Sequence, residues 1–275
     1  MPASVSAPVG RHAAPRAPWY RIPRQAPPPS AGPASTGTVA VPGRVRKIGY
    51  AVLAIQLIAF CAWSTLLYNR YALTWDFAVY HQPWYLIAHG HLDPSTSVES
   101  MPFWRNDAEF AIWPLAIFYW VGPHSLTLLW LQDIGVVAAE LIAFSWMCTL
   151  VARCGNRRTA AWLVISGLIL FVVSPWLWWS VSFDFHMESV AMPFAVLLAR
   201  DLATGRRRMW WWVAPVLSAG GPAAVYVLGI GAGGILSGRS YWRRGITLVG
   251  IARPDGCEVF TRPDRIVAKA DCRVG

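Results

Sequence analysis

The sequence predicts an all-α, polytopic transmembrane helical bundle. Three observations carry this. Of the 275 residues, 55% are hydrophobic and 14% are charged, against about 25% charged in an average soluble domain. Several apolar runs approach the roughly 20 residues that a helix needs to cross a bilayer, where a helix satisfies its own backbone. Tryptophans crowd toward the ends of these runs, at Trp75, Trp84, Trp104, Trp176, Trp178, Trp179 and positions 210–212. That is the placing of interfacial aromatic belts.

Charge and cysteine use narrow the function classes. The net charge is +10, but the arginines sit in clusters beside hydrophobic runs. This pattern is topological, and no nucleic-acid partner is expected. The five cysteines, Cys61, Cys148, Cys154, Cys257 and Cys272, are odd in number and lack CxxC spacing. They imply neither a disulfide framework nor a zinc site.

Residues 1–47 form a predicted disordered, basic, cytoplasmic tail. Up to position 43 they are rich in Pro, Ala, Ser and Gly and contain no acid, so they cannot bury enough apolar area to offset their ordering entropy. They do not read as a signal peptide. Residues 48–252 are the expected transmembrane domain, and 253–275 a polar C-terminal tail. The positive-inside rule keeps the N-terminus in the cytoplasm of a multi-pass plasma-membrane protein.

The first membrane helix is expected at 48–68, running outward. Asp76 follows it. Phe77, Tyr80, Trp84 and Ile87 then recur at helical spacing, with His81 and His89 off that stripe. This predicts a helix in the outer interface, ended by Gly90. Residues 91–107 are a polar loop. Residues 109–122 are apolar but short, contain Pro114, and either lie at the interface or make a thin crossing.

Residues 125–151 are long enough to cross, and 160–179 with 189–203 form a returning hairpin. If 109–122 does not cross, Arg153, Arg157, Arg158 and the triplet Arg206, Arg207, Arg208 are all cytoplasmic, as the rule prefers. Asp76, Arg105, Asp107, Glu109 and the 183–188 loop then share the outer side. Gly220, Gly221 and Pro222 should break the run 210–237 into two halves. These return Arg239, Arg243 and Arg244 to the cytoplasm. Residues 246–252 are too short to span. The end of the chain after this basic segment is where a larger bundle would continue, and it suggests a truncated or frame-altered product.

The candidate chemistry lies where polar residues interrupt apolar sequence. Asp76 is either a helix N-cap or a general base at a membrane-edge cavity. Asp184, His186 and Glu188 alternate, so in an extended segment they share one side. They could hold a divalent metal or orient a hydroxyl, or form a polar turn. No HExxH-type spacing is present, and no cofactor is otherwise expected. Arg105 suits a lipid phosphate. His81, Asp107, Glu109 and Asp184 join it as substrate-binding candidates on the same face. Asp133 and Glu140, two turns apart in the 125–151 run, must face a partner or a wet cavity. They serve either proton relay or bonding between helices.

The segments WDFAVYHQPWYLIAHG, EFAIWPLAIFYWVGPHSLTLLWLQ and FDFHMESVAMPFAVLLARDLATGRRR together resemble a family of bacterial integral membrane proteins of uncharacterised function. That family is similar to the C-type glycosyltransferase superfamily. The resemblance covers roughly residues 48–250. It implies a helical bundle with an outer-facing site and a sugar donor carried on a polyprenyl phosphate. It further implies a hexosyl- or pentosyltransferase activity in which Asp76 is the acid/base and His186 and Glu188 line the cavity. The implied partners are membrane lipid and the lipid-linked donor. Two departures are Asp107-Ala108-Glu109-Phe110, where relatives carry a DHF-like element, and Gly220-Gly221-Pro222, where they carry a charged residue. Two alternatives stand beside the transferase: a transporter or flippase component using Asp133 and Glu140, and a non-catalytic membrane protein fragment.

Overall fold

A computed structural model describes residues 40–97, 102–104, 109–152 and 156–252. Arg105, Asp107, most of the N-terminal tail and residues 253–275 lie outside them. The described residues are helical, without a sheet strand; the one β-bridge joins Ser95 and Pro102.

Three segments are long and apolar enough to span a membrane. The first is α1, Gly43–Asn69, whose 27 residues extend about 40 Å at 1.5 Å each. It begins five residues before the apolar run because Arg44, Arg46 and Lys47 are good helix formers. The second is α4, Ser125–Val151, which begins and ends where the sequence places it. The third is Arg157–Ser182. It divides at Ser174 into α5, Arg157–Val172, and α6, Pro175–Ser182, because Pro175 cannot donate the helical bond there.

The remaining elements are shorter. α2, Trp75–Ala88, follows α1 and ends at Gly90, whose φ of +90° lies in the left-handed region. α3, Ile112–Leu115, passes into a 3-10 turn, Ala116–Trp120. Together they extend roughly 16 Å, half of a 30 Å hydrocarbon core, so this stretch does not cross. α7, Met187–Ala203, leads to α8, Met209–Leu217. Gly220, at φ +95°, then breaks the apolar run before α9, Gly221–Leu236. α10, Arg239–Ala252, closes the described chain.

α4 is the central post. In its apolar window 44% is buried, against 22% for α1 and 17% for the third span. On one side α4 meets α1 and α5 around Phe60, Phe144 and Val164. On the other it packs on α7 and is bonded to α2, in a core around Trp84, Phe185 and Val216 that α8 joins through α7. Gly135 lets α4 approach α7: a Cβ there would stand 2.7 Å from the Ser189 carbonyl oxygen. The apolar face of α2 is covered by protein. Trp84 is fully buried, and its indole N–H donates to the Leu115 carbonyl at 3.1 Å.

Chain direction sorts the molecule into two ends. One gathers the start of α2, the 109–125 segment, the loop before α7 and Ser218, whose carbonyl accepts from Ala111 N–H at 2.8 Å. The other gathers the starts of α1, α5 and α10 and the loop after α7. The first is the polar end, the second the basic end.

Candidate functional site

The polar end is organised by Asp184. Its side chain is 3% exposed and its carboxylate points at the start of α2. It accepts from Thr74 N–H at 2.9 and 3.0 Å, from the Thr74 hydroxyl at 2.5 Å and from Phe77 N–H at 3.3 Å. The first turn of a helix leaves backbone donors without intrahelical partners, usually met by the helix's own N-cap side chain. Thr74 holds the N-cap position but makes no such bond. A residue 110 positions away supplies the cap instead.

Asp76, expected either as N-cap or as base, is therefore not the cap. It is the second residue of α2, half-buried, where a negative charge meets the favourable end of the helix dipole. Its carboxylate makes no hydrogen bond or ion pair to the described residues.

Gln132, on α4, holds the loop that carries Asp184. Its Nε2 donates to the Ser180 carbonyl at 2.9 Å and to the Asp184 carbonyl at 3.4 Å. Its Oε1 accepts from His186 N–H at 2.6 Å. Between these bonds Phe185 is driven into the core, edge-on to Tyr80 at 5.1 Å. The Tyr80 hydroxyl donates to Glu109 Oε1 at 2.8 Å, and Glu109 is 1% exposed. Glu109 is thus an internal acceptor that ties the 109–120 segment to α2.

The expectation that Asp184, His186 and Glu188 share one side of an extended segment is corrected here. Asp184 turns inward to α2, and α7 has already begun at Met187. His186 and Glu188 remain together, with Nδ1 and Oε1 3.7 Å apart and both side chains about a quarter exposed. His186 stacks on Phe183 at 5.7 Å, and Tyr226 of α9 lies within electrostatic reach of Glu188.

His81 is half-buried. Its Nε2 is 2.7 Å from the Ser125 hydroxyl oxygen, and its ring stacks on Phe77. Burial lowers its pKa, so the imidazole is held neutral. Ser125 opens α4, so this bond seats α2 against the central helix.

Among the described residues the donor set does not fit a metal. The oxygens of Asp184 are occupied by backbone and hydroxyl donors, leaving only His186 and Glu188 close together. Among the described residues no group of three His, Cys, Asp or Glu could hold an ion.

Within the spans, the second pair of candidates is bonded across helices. Ser64 donates to Asp133 Oδ1 at 3.2 Å, and Gln56 Nε2 donates to Glu140 Oε1 at 3.0 Å. The lower number of α1 meets the higher number of α4, so these helices are antiparallel. Sequence spacing carried the signal: the polar positions are eight apart in α1 and seven apart in α4.

Comparison with protein-family models, with curated proteins and with solved structures gives no match for this chain.

Proposed function

We propose that the chain is a multi-pass membrane protein whose polar end transfers a sugar from a polyprenyl-phosphate donor. In this proposal that end faces outward across the plasma membrane, with the N-terminus in the cytoplasm. One observation supports the site assignment. Of the six sequence candidates within the described residues, Asp184, Glu109 and His81 are taken up by capping and packing bonds. Asp76, His186 and Glu188 keep partly exposed groups on the same end. The three expected to do chemistry are those that the scaffold leaves outside its capping and seating bonds.

The proposed step is a substitution at the anomeric carbon. The acceptor oxygen forms a bond to that carbon as the carbon–oxygen bond to phosphate breaks. The acceptor proton passes to the Asp76 carboxylate, and polyprenyl phosphate leaves with the bonding pair. Glu188 holds the His186 imidazole at Nδ1, and the ring's Nε2 accepts from a sugar hydroxyl.

Mass spectrometry of lipids retained in native-membrane discs tests this. A polyprenyl phosphate, bare or glycosylated, is expected; bulk phospholipid alone would remove the donor. Asp76→Asn should abolish transfer while shifting stability by less than about 1 kcal/mol.

A second reading is favoured by Asp133 and Glu140. Each is buried in the central span, with one carboxylate oxygen that no described residue donates to. If the protein moves ions or lipids, Asp133→Asn and Glu140→Gln should stop transport and Asp76→Asn should not.

A further inference from the structure

The basic end offers a surface that the polar end does not use. Of the thirteen Lys and Arg among the described residues, twelve lie at the basic end by their place in the helices; Arg70 is the exception. Asp201 is the sole described acid there, and it is already held by Arg200 and Arg208. Arg44, Arg46, Lys47, Arg157, Arg158, Arg206, Arg207, Arg243 and Arg244 have no carboxylate partner among the described residues.

This charge surrounds a built turn. α9 and α10 meet at Gly238, whose φ is +110°. Their backbones touch, since a Cβ at Gly245 would stand 2.6 Å from the Gly231 carbonyl oxygen. Small residues at such crossings bring helices close. The Tyr241 hydroxyl donates to the Ala203 carbonyl at 3.1 Å and ties α10 to the end of α7. Beside the turn lies a groove of ≈640 Å³ lined by Ile235, Gly238, Trp242 and Arg243. Arg244, the next residue, lies against Gly205, and its Nη1 is buried with no acceptor among the described residues.

We propose that this groove, with Arg243 and Arg244, binds the phosphate headgroup of an anionic phospholipid. Charge complementarity selects the anion: a guanidinium is the side chain best suited to phosphate. The surroundings select a lipid over a soluble anion. Leu236 is 87% exposed and Trp242 50% exposed beside the arginines, at the end of helices that stand in a bilayer. Apolar surface next to a cation is matched by an acyl chain next to a phosphate, and basic pockets between membrane helices recognise headgroups in this way. The inference holds whatever chemistry the polar end performs.

The test uses the full chain in discs of phosphatidylcholine and phosphatidylglycerol in equal parts. Retained lipid is counted by native mass spectrometry after extraction into detergent. Phosphatidylglycerol should be retained in preference. A headgroup contact by an exposed arginine is worth up to about fivefold, so Arg243→Ala with Arg244→Ala should bring the ratio close to one. Arg157→Ala with Arg158→Ala removes the same charge from the same end, away from the groove, and should leave the preference in place. Arg243→Ala alone changes an exposed residue; it should lose about fivefold and carries the test if the double variant fails to fold. Equal retention of both lipids by the unaltered protein overturns the proposal. So does an equal loss in both double variants, which would mean diffuse charge without a site. Recovery of an acidic peptide or RNA in place of lipid overturns it as well.

Discussion

Each end of the molecule buries an aspartate, and the two are used differently. Asp184, at the polar end, accepts from backbone N–H groups and a hydroxyl, and so joins a loop to a helix start. Asp201, at the basic end, accepts from Arg208 Nε at 2.6 Å, from Trp212 Nε1 at 2.9 Å and from Arg200. The first bond set is between an ion and neutral dipoles fixed in a fold. The second is between an ion and cations that reach water. The difference shows how each end treats its polar residues. The polar end turns them inward as stitches and leaves a few unspent. The basic end spends one acid and leaves most of its described cations without a carboxylate.

The largest expected effect is at Asp184. Asp184→Ala should cost about 3 kcal/mol, because it orphans several donors at once, and it should lower the thermal midpoint in discs. Asp184→Asn keeps an acceptor and should cost less. Asp201→Ala should cost about 2 kcal/mol. A buried ion pair loses more when one partner is left in a dry site, but the Arg208 side chain is 48% exposed and can rehydrate. A larger loss at Asp201 than at Asp184 would break the comparison.

Gln132→Leu comes next, at about 1–2 kcal/mol. Its sharper readout is faster hydrogen exchange at residues 183–188, with none at 200–208.

The smallest effect belongs to His81. Its pKa is lowered in the fold by burial, so between that value and the ordinary 6.5 the unfolded chain binds the extra proton. Stability therefore falls as pH drops below about 6.5. His81→Gln should flatten this part of the profile, measured as thermal midpoint against pH.

Much of the scaffold was legible because its causes are local. The apolar run of α4 has no competing signal, so its ends follow from length alone. Gly90 ends α2 and Gly220 sets the start of α9, each with a backbone at positive φ. Pro114 lies in a stretch too short to cross. The site was less legible because its causes are distant. Nothing near Asp184 says that its carboxylate will cap a helix beginning at residue 75. Tyr80 reads as one of an aromatic stripe until Glu109 is seen beneath its hydroxyl. Gln132 shows in sequence only as an amide in apolar surroundings, and its three partners lie about 50 residues away. Alternation around Asp184 was a fair guide to an extended segment, but the early start of α7 at Met187 overrode it.

The distance between Asp184 and the start of α2 also sets a schedule. Synthesis proceeds from the N-terminus at about 5–20 residues per second. The first turn of α2 therefore exists for roughly 5–20 seconds before residue 184 has been made. The Ser64–Asp133 pairing closes over a shorter loop of 69 positions, so α1 and α4 can join first. The polar end thus acquires its shape after the α1–α4 pair, and a ribosome that stalls before residue 184 leaves α2 without its cap.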